Sequence, residues 1–338
     1  AVGKAGDLHK WFNNNIRGVL GIDISEDNIH NPYDGACKRY IELFTQKKIK
    51  RGNQKKKDEN NMFGMFISGD TSKNIENGKF DIYSHKNKQS VSSDYILKSL
   101  LGSVPSKNIK EEYLKTDLFK KKFDICSIQF AIHYMFESKE KLYNFAKNVS
   151  DMTHVGSYFI GTCYDGKLVY EKLKDVEYND AVEIYKNSNK IWSIRKKYHD
   201  SDDSFLENDE LSLGRKISVF QESINKEFDE YLVNFDYFEK VMEDHGFVVD
   251  NDFASEEQQL NATETFETIY KKLYQKGNKL NMTNYEKEIS FLNRCFVFKK
   301  ITDMVKSYPI TEDENKISAP SLSVGYPKKT KEAIILQL

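Results

Sequence analysis

Three strand-like runs end on side chains able to hold a polar ligand. GVLGIDIS carries Asp23, and FGMFISGD carries Asp70 with Thr71 after it. FDICSIQF carries Gln129 and Phe130, and AIHYMF sets His133 and Tyr134 four and five residues beyond Gln129. In an open α/β sheet, ligands bind at the carboxyl ends of the strands. Ahead of these runs stands Gly3-Lys4-Ala5-Gly6-Asp7, a turn that opens a helix. Its glycines allow close approach to the backbone, and the helix start offers free N–H groups. An acid at the end of the next strand, about 20 residues on, commonly takes the two hydroxyls of a ribose. An acid one strand over can accept from the exocyclic amine of adenine. Taken singly, an Asp after a strand is more often a turn or cap, a lone His a satisfied core group, and a turn Lys solvated. Their recurrence at successive strand ends favours a site for an adenosine-containing ligand.

The phosphate chemistry narrows the ligand. A P-loop reads G-x-x-x-x-G-K-[ST], which GKAGD does not match, and a G-x-G-x-x-G fingerprint is absent as well. S-adenosylmethionine has no phosphate, so a shorter glycine turn bearing a charged residue suits it.

The elements that must position these groups follow from hydrophobic pattern. RGVLGIDIS, NMFGMFISGD, FDICSIQF and SYFIGTCYDG read as buried strands, with Ser25 as a helix N-cap after the first. GACKRYIELFTQKKI and ESKEKLYNFAKNVSDM read as helices between them. Alternating strands and helices predict a doubly wound, mostly parallel α/β sheet. Residues 72–122 are polar and lysine-rich and read as an insertion on the sheet's rim. Residues 165–230 break the alternation and read as a second insertion, with helix-like and strand-like pieces such as KIWSIRKKY and RKISVFQES. KRGNQKKKDENN reads as a charged loop. EYLVNFDYFEKVMEDHGFVVDNDF and ISFLNRCFVFKK restore the pattern, and residues 302–338 read as a polar, flexible tail. With no strand ahead of its glycine turn, the chain reads as a fragment cut within a motif.

Composition bounds the function. Lys+Arg number 51 against 52 Asp+Glu, a net charge of −1, which excludes an overall basic nucleic-acid binder but not a local basic groove. No apolar run reaches the ~18 residues of a membrane span. The four cysteines, Cys37, Cys126, Cys163 and Cys295, are scattered without a C-x-x-C pair, which favours buried thiols over disulfides or a zinc site.

AVGKAGDLHKW, VLGIDIS with GACKRY, FISGDTSKNI, FDICSIQFAIHYMFES, SYFIGTCYDG, SLGRKISVFQESIN and EYLVNF together resemble the mRNA cap guanine-N7 methyltransferases. More narrowly, they are similar to the methyltransferase domain of the capping enzymes of large cytoplasmic DNA viruses. The resemblance covers residues 1–301. It implies a class I, Rossmann-like fold with a seven-stranded sheet, whose first strand is missing here. It implies methyl transfer from S-adenosylmethionine, without a metal, to N7 of the guanine capping a 5′ triphosphate end. Carried over residue by residue, it puts Gly3, Lys4, Asp23 (ribose), Asp70 (adenine), Thr71, Gln129, Phe130 and Tyr134 at the donor. It puts Lys4, Lys10, Arg39, His133 and Glu230 at the cap, with Asn293 where many relatives carry a cap-contacting tyrosine. It also implies capped mRNA as partner, triphosphatase and guanylyltransferase domains upstream, a stimulatory subunit and a cytoplasmic site of action.

The chemistry of these side chains is compatible with those roles. Lys4, Lys10 and Arg39 supply cations for a triphosphate, Arg39 with a planar fork. A carboxylate at Glu230 can accept both N1–H and the exocyclic amine of guanine, a pair that adenine does not offer. Two rival readings are a methyltransferase for another substrate and a non-catalytic module that binds RNA or stimulates a capping partner.

Overall fold

The computed structural model describes residues 1–51, 62–76, 80, 92–105, 117–120, 122–199, 204–250, 260–278, 280–303 and 333–338. The charged loop read at KRGNQKKKDENN, much of the 72–122 stretch and residues 304–332 lie largely or wholly outside them.

The chain runs α1 (Leu8–Asn13), β1 (Gly18–Asp23), α2 (Glu26–His30), α3 (Ala36–Arg51), β2 (Phe63–Ser68), α4 (Ser93–Leu100), α5 (Asp117–Lys120) and β3 (Phe123–Gln129). It continues through α6 (Lys139–Met152), β4 (Thr153–Tyr164) and α7 (Gly166–Lys172) to β5 (Ala181–Lys186), β6 (Asn189–Lys196), β7 (Lys216–Gln221) and β8 (Lys226–Tyr231). The last part holds α8 (Phe235–Asp244), β9 (Phe247–Val249), β10 (Thr263–Thr265), α9 (Phe266–Gln275), α10 (Asn284–Ser290), β11 (Asn293–Lys300) and β12 (Ile334–Gln337).

Eight strands form the large sheet, in the order β10-β11-β4-β3-β12-β1-β2, with β9 also on β11. β9 and β10 line up along one side of β11, against Lys300–Phe298 and Phe296–Arg294, so eight strands occupy seven positions. Strands β2, β1, β12, β3 and β4 are parallel, and β11 runs antiparallel to β4. All six residues of β1 are buried, as a parallel strand covered on both faces requires. Ser25 caps α2 as its position predicts, its hydroxyl accepting from Asn28 N–H.

Two expectations are corrected by β12. Residues 333–338 are not part of a flexible tail, and the position beside β1 is not vacant. AIILQL lies between β1 and β3, pairing Leu336 with both Leu20 and Cys126. Ile334, Ile335, Leu336 and Leu338 are all buried. So short a run leaves little periodic signal, and only its neighbours on both sides decide that it is a strand. The described part of residues 72–122 also does more than decorate a rim. Phe80, Leu97, Leu100 and Phe119 are buried in the principal core.

The 165–230 stretch, with Tyr231 after it, carries a separate antiparallel sheet, ordered β5-β6-β7-β8. Its own apolar core gathers Trp192, Ile194, Ile217, Val219 and Phe205 with Tyr164 and Leu232. Gly214 N–H donates to Phe136 O at 2.9 Å, joining this sheet to the 3-10 turn Ile132–Glu137 that follows β3.

Candidate active site

Because β1, β2 and β3 are parallel, Asp23, Asp70 and Gln129 come to one edge of the sheet, as their spacing predicts. Asp23 is buried and already well partnered. Its Oδ2 accepts from Gly3 N–H at 2.7 Å, and its Oδ1 accepts from Ser25 N–H at 2.9 Å and Asn28 Nδ2 at 3.0 Å. A carboxylate has about four acceptor positions, so Asp23 both fixes the glycine turn and keeps room for a further donor. Gly3 lies at φ +54°, where a side chain is disfavoured, and a Cβ there would meet no atom within 4 Å. The turn therefore leaves open space over its backbone.

Asp70 is set by local bonds. Its Oδ1 accepts from Ser72 N–H at 2.9 Å and Ser72 Oγ at 2.6 Å. The chain reaches it through Gly69, where a Cβ would stand 2.0 Å from the Phe80 ring. Buried Asn148 of α6 holds the following loop, donating to Thr71 O at 3.0 Å and Lys73 O at 2.7 Å and accepting from Ile75 N–H at 3.0 Å. Gln129 is oriented by its neighbours: its amide donates to Ser127 Oγ at 3.0 Å and accepts from Thr162 Oγ1 at 2.9 Å. Each end of that amide retains one unused position. Phe130, at φ +51° and 54% exposed, stands edge-on to Phe266. Such strain persists where the surroundings impose it, and it is concentrated at functional sites.

The second half of the site joins the two sheets. His133 is buried in the 3-10 turn, and its Nδ1 lies 3.6 Å from Glu230 Oε2 on β8. Three buried atoms here have no hydrogen-bond partner: both ring nitrogens of His133 and Oε2 of Glu230. The separation would suit an ion pair, yet burial works against charge on either partner. It lowers His133 to about 3 and raises Glu230 to about 8, so burial favours the neutral form of each at neutral pH. Tyr134 packs edge-on against His133, ring centroids 4.2 Å apart. Burial first, then the charges of Glu230 and Asp23, push its phenol up to about 12. Tyr134 thus lies within electrostatic reach of both the strand-end acid and the second-sheet acid.

The remaining candidates divide. Lys4 Nζ donates to both oxygens of Asp34, at 2.7 and 2.8 Å, and Arg39 Nη1 donates to Lys4 O at 3.0 Å. Arg39 also lines a cavity of about 180 Å³ beside the glycine turn, with Ala5, Gly6 and His9. Lys10, 78% exposed, is turned onto Asp7 at 2.7 Å. Asn293 is engaged by the fold, its amide donating to Ile289 O at 3.2 Å and Ser290 O at 3.0 Å and closing the end of α10. A larger cavity of about 360 Å³ opens by Phe123 at the other end of β3, away from these groups. Among the described residues, no group of three or more His, Cys, Asp or Glu side chains could hold a metal ion.

Sequence reasoning did not find Asn28, Ser127, Asn148 and Thr162, which hold the donor-side groups. Nor did it find Asp34 on Lys4. Polar residues scattered along strands and helices carry no pattern of their own, and only tertiary contact gives them a role.

This arrangement of strand-end groups facing a second sheet can be set beside known proteins. The family model for the mRNA (guanine-N(7))-methyltransferase domain matches residues 1–301. The chain belongs to that family. Within this cap guanine-N7 methyltransferase family, it is 23% identical over 361 residues to the probable mRNA-capping enzyme of Acanthamoeba polyphaga mimivirus, covering 96% of this chain and 27% of that protein. It is 26% identical over 195 residues to the mRNA cap guanine-N(7) methyltransferase of Eremothecium gossypii, covering 55% of this chain and 44% of that one. The chain therefore spans less than half of either relative's length. Among solved structures it is similar to the CcbJ methyltransferase from Streptomyces caelestis, with TM-score 0.43 and 8% identity over 89% of this chain and 82% of that chain. The fold is that of the S-adenosylmethionine-dependent methyltransferases, with the usual mostly parallel sheet. The family match ends before β12, so a strand outside the matched span completes the sheet. S-adenosylmethionine is the family's methyl donor, and the residues present fit it. Asp23 retains capacity for a ribose hydroxyl, Asp70 Oδ2 is a free carboxylate oxygen for an amine, and the glycine turn is open. No helix among the described residues is long and apolar enough to cross a membrane.

Proposed function

We propose that this chain methylates N7 of the guanine that caps the 5′ end of mRNA. The observation that carries this reading is the buried, partnerless His133–Glu230 pair beside Tyr134. Unpaired buried polar atoms cost about 1–3 kcal/mol each, so a cluster of three of them fits a ligand that supplies their partners. Guanine presents N1–H and an exocyclic amine side by side, both donors, to a carboxylate at Glu230. Accepting two donors favours the ionised form of Glu230, so binding of the base releases the proton that burial retains. Lys4 and Arg39 serve the triphosphate, and Asp23, Asp70 and Gln129 the adenosine end of the donor.

S-adenosylmethionine supplies an activated methyl group on its sulfonium. Guanine N7 has a free lone pair and no proton to lose, so this chain's residues need only bind and align the two partners. Positioning of this kind is worth ~7–11 kcal/mol of a barrier. In this reading Tyr134 keeps water out and sets the spacing of the two half-sites, which its contact with His133 and the influence of both Glu230 and Asp23 on its phenol support. The reading includes triphosphatase and guanylyltransferase domains in the whole protein, supported by the much longer mimivirus relative. It also includes action in the cytoplasm.

The test uses the whole protein, S-adenosylmethionine labelled on its methyl group, and two RNAs, one ending in GpppN and one in the N7-methylated cap. Label on the first RNA alone is expected. Label on both moves the target to a ribose or an internal base. Donor binding without transfer favours the rival, non-catalytic reading.

A further inference from the structure

The proposed acceptor group Glu230 stands on the small sheet, while the donor-side groups stand on the large one. Their separation is therefore set by whatever joins the two sheets near the site. Tyr164, the last residue of β4, is buried, and its phenol oxygen accepts from Trp192 Nε1 at 3.1 Å and Gln221 Nε2 at 3.4 Å. Trp192 and Gln221 are cross-strand partners on β6 and β7. One oxygen of the large sheet thus receives donors from two adjacent strands of the small sheet, filling both acceptor positions of a phenol. Two residues back on the same face of β4 is Thr162, whose hydroxyl donates to the amide of Gln129. The end of β4 therefore holds a donor-side residue at one position and the small sheet at the next but one. The Glu230 charge also reaches the Tyr164 phenol, which burial above all pushes up.

We propose that Tyr164 is a positioning residue for the acceptor base, its hydroxyl fixing the small sheet, and with it Glu230, against the donor-side strands. This rests on the reading of Glu230 as the group that takes guanine. Asn293, the register partner of Tyr164 on β11, has its amide committed to α10.

The test compares the whole wild-type protein with Tyr164→Phe, which keeps the ring and removes the oxygen. Binding of S-adenosylmethionine, GpppG and IpppI is measured by calorimetry; inosine lacks the exocyclic amine of guanine. Tyr164→Phe is expected to keep donor affinity within twofold, lose about tenfold in GpppG affinity and reduce the preference for GpppG over IpppI. Gln221→Met, which removes one donor from a partly exposed position, is expected to change the same ratio in the same direction by less. If Tyr164→Phe fails to fold, Gln221→Met carries the test alone. An unchanged GpppG:IpppI ratio in a folded variant, or equal loss of donor and cap affinity, overturns the proposal. A wild-type protein that binds the donor but does not prefer GpppG overturns instead the reading of Glu230.

Discussion

Glu230→Gln should make the protein more stable and less active at neutral pH, and the pH dependence of the gain is the decisive part. The Glu230 side chain is 12% exposed and burial raises its carboxyl from 4.5 to about 8. In the unfolded chain this group ionises near its ordinary value. Between those two values the folded state therefore holds a proton that the unfolded state releases, and stability falls as pH rises. At pH 7 the two and a half pH units above 4.5, at about 1.4 kcal/mol each, correspond to a cost of about 3 kcal/mol. At pH 5 the cost is below about 1 kcal/mol, and above pH 8 it levels off near 5 kcal/mol. Glutamine keeps the shape and does not titrate, so the variant should gain little at pH 5 and most at pH 8. His133 has the opposite slope: its lowered value costs stability as pH falls below 6.5. It is present in both proteins, so it cancels in the comparison. Urea denaturation of both proteins at pH 5, 7 and 8 measures the effect. The variant should also lose cap methylation by about a hundredfold or more, since an amide nitrogen would face the guanine donors. A stability difference equal at pH 5 and pH 8, or a variant less stable at pH 8, would falsify the view of Glu230 as a buried carboxyl kept neutral.

Leu336→Ala should cost ~2–5 kcal/mol in thermal or urea unfolding, because Leu336 is fully buried between β1 and β3; a residue in a solvated tail would change stability by less than ~0.5 kcal/mol. Asn293→Ala should destabilise by ~1–2 kcal/mol through its two lost bonds to α10, while the KM for GpppN-RNA stays within twofold; a large rise in KM would restore Asn293 to the cap. Lys4→Ala should weaken GpppG binding and reduce the slope of log affinity against log salt by about one. Asp34→Ala removes the main partner of the Lys4 ammonium, leaving Asp27 at 3.8 Å, so it should strengthen GpppG binding at low salt; weaker binding would show that Asp34 instead holds Lys4 in its working position.

Local pattern determined much of this protein. Buried apolar runs named β1, β2, β3 and β4, and their shared direction placed Asp23, Asp70 and Gln129 at one edge. The side chains that follow β3 were legible because a strand end fixes what comes next by only a few residues. Tertiary structure alone decided what depends on distant partners. AIILQL is a strand only because β1 and β3 flank it, and the pattern of six residues is too weak to predict so remote a pairing. Burial where the 3-10 turn meets the second sheet disfavours charge on His133 and Glu230, though 97 positions separate them in the chain. Asn293 carries the same amide in a site as in a helix cap, and only the fold brings it to the carbonyls of Ile289 and Ser290. Sequence sets which groups can bind or titrate; the fold sets their dielectric surroundings and their neighbours, and these fix charge and role.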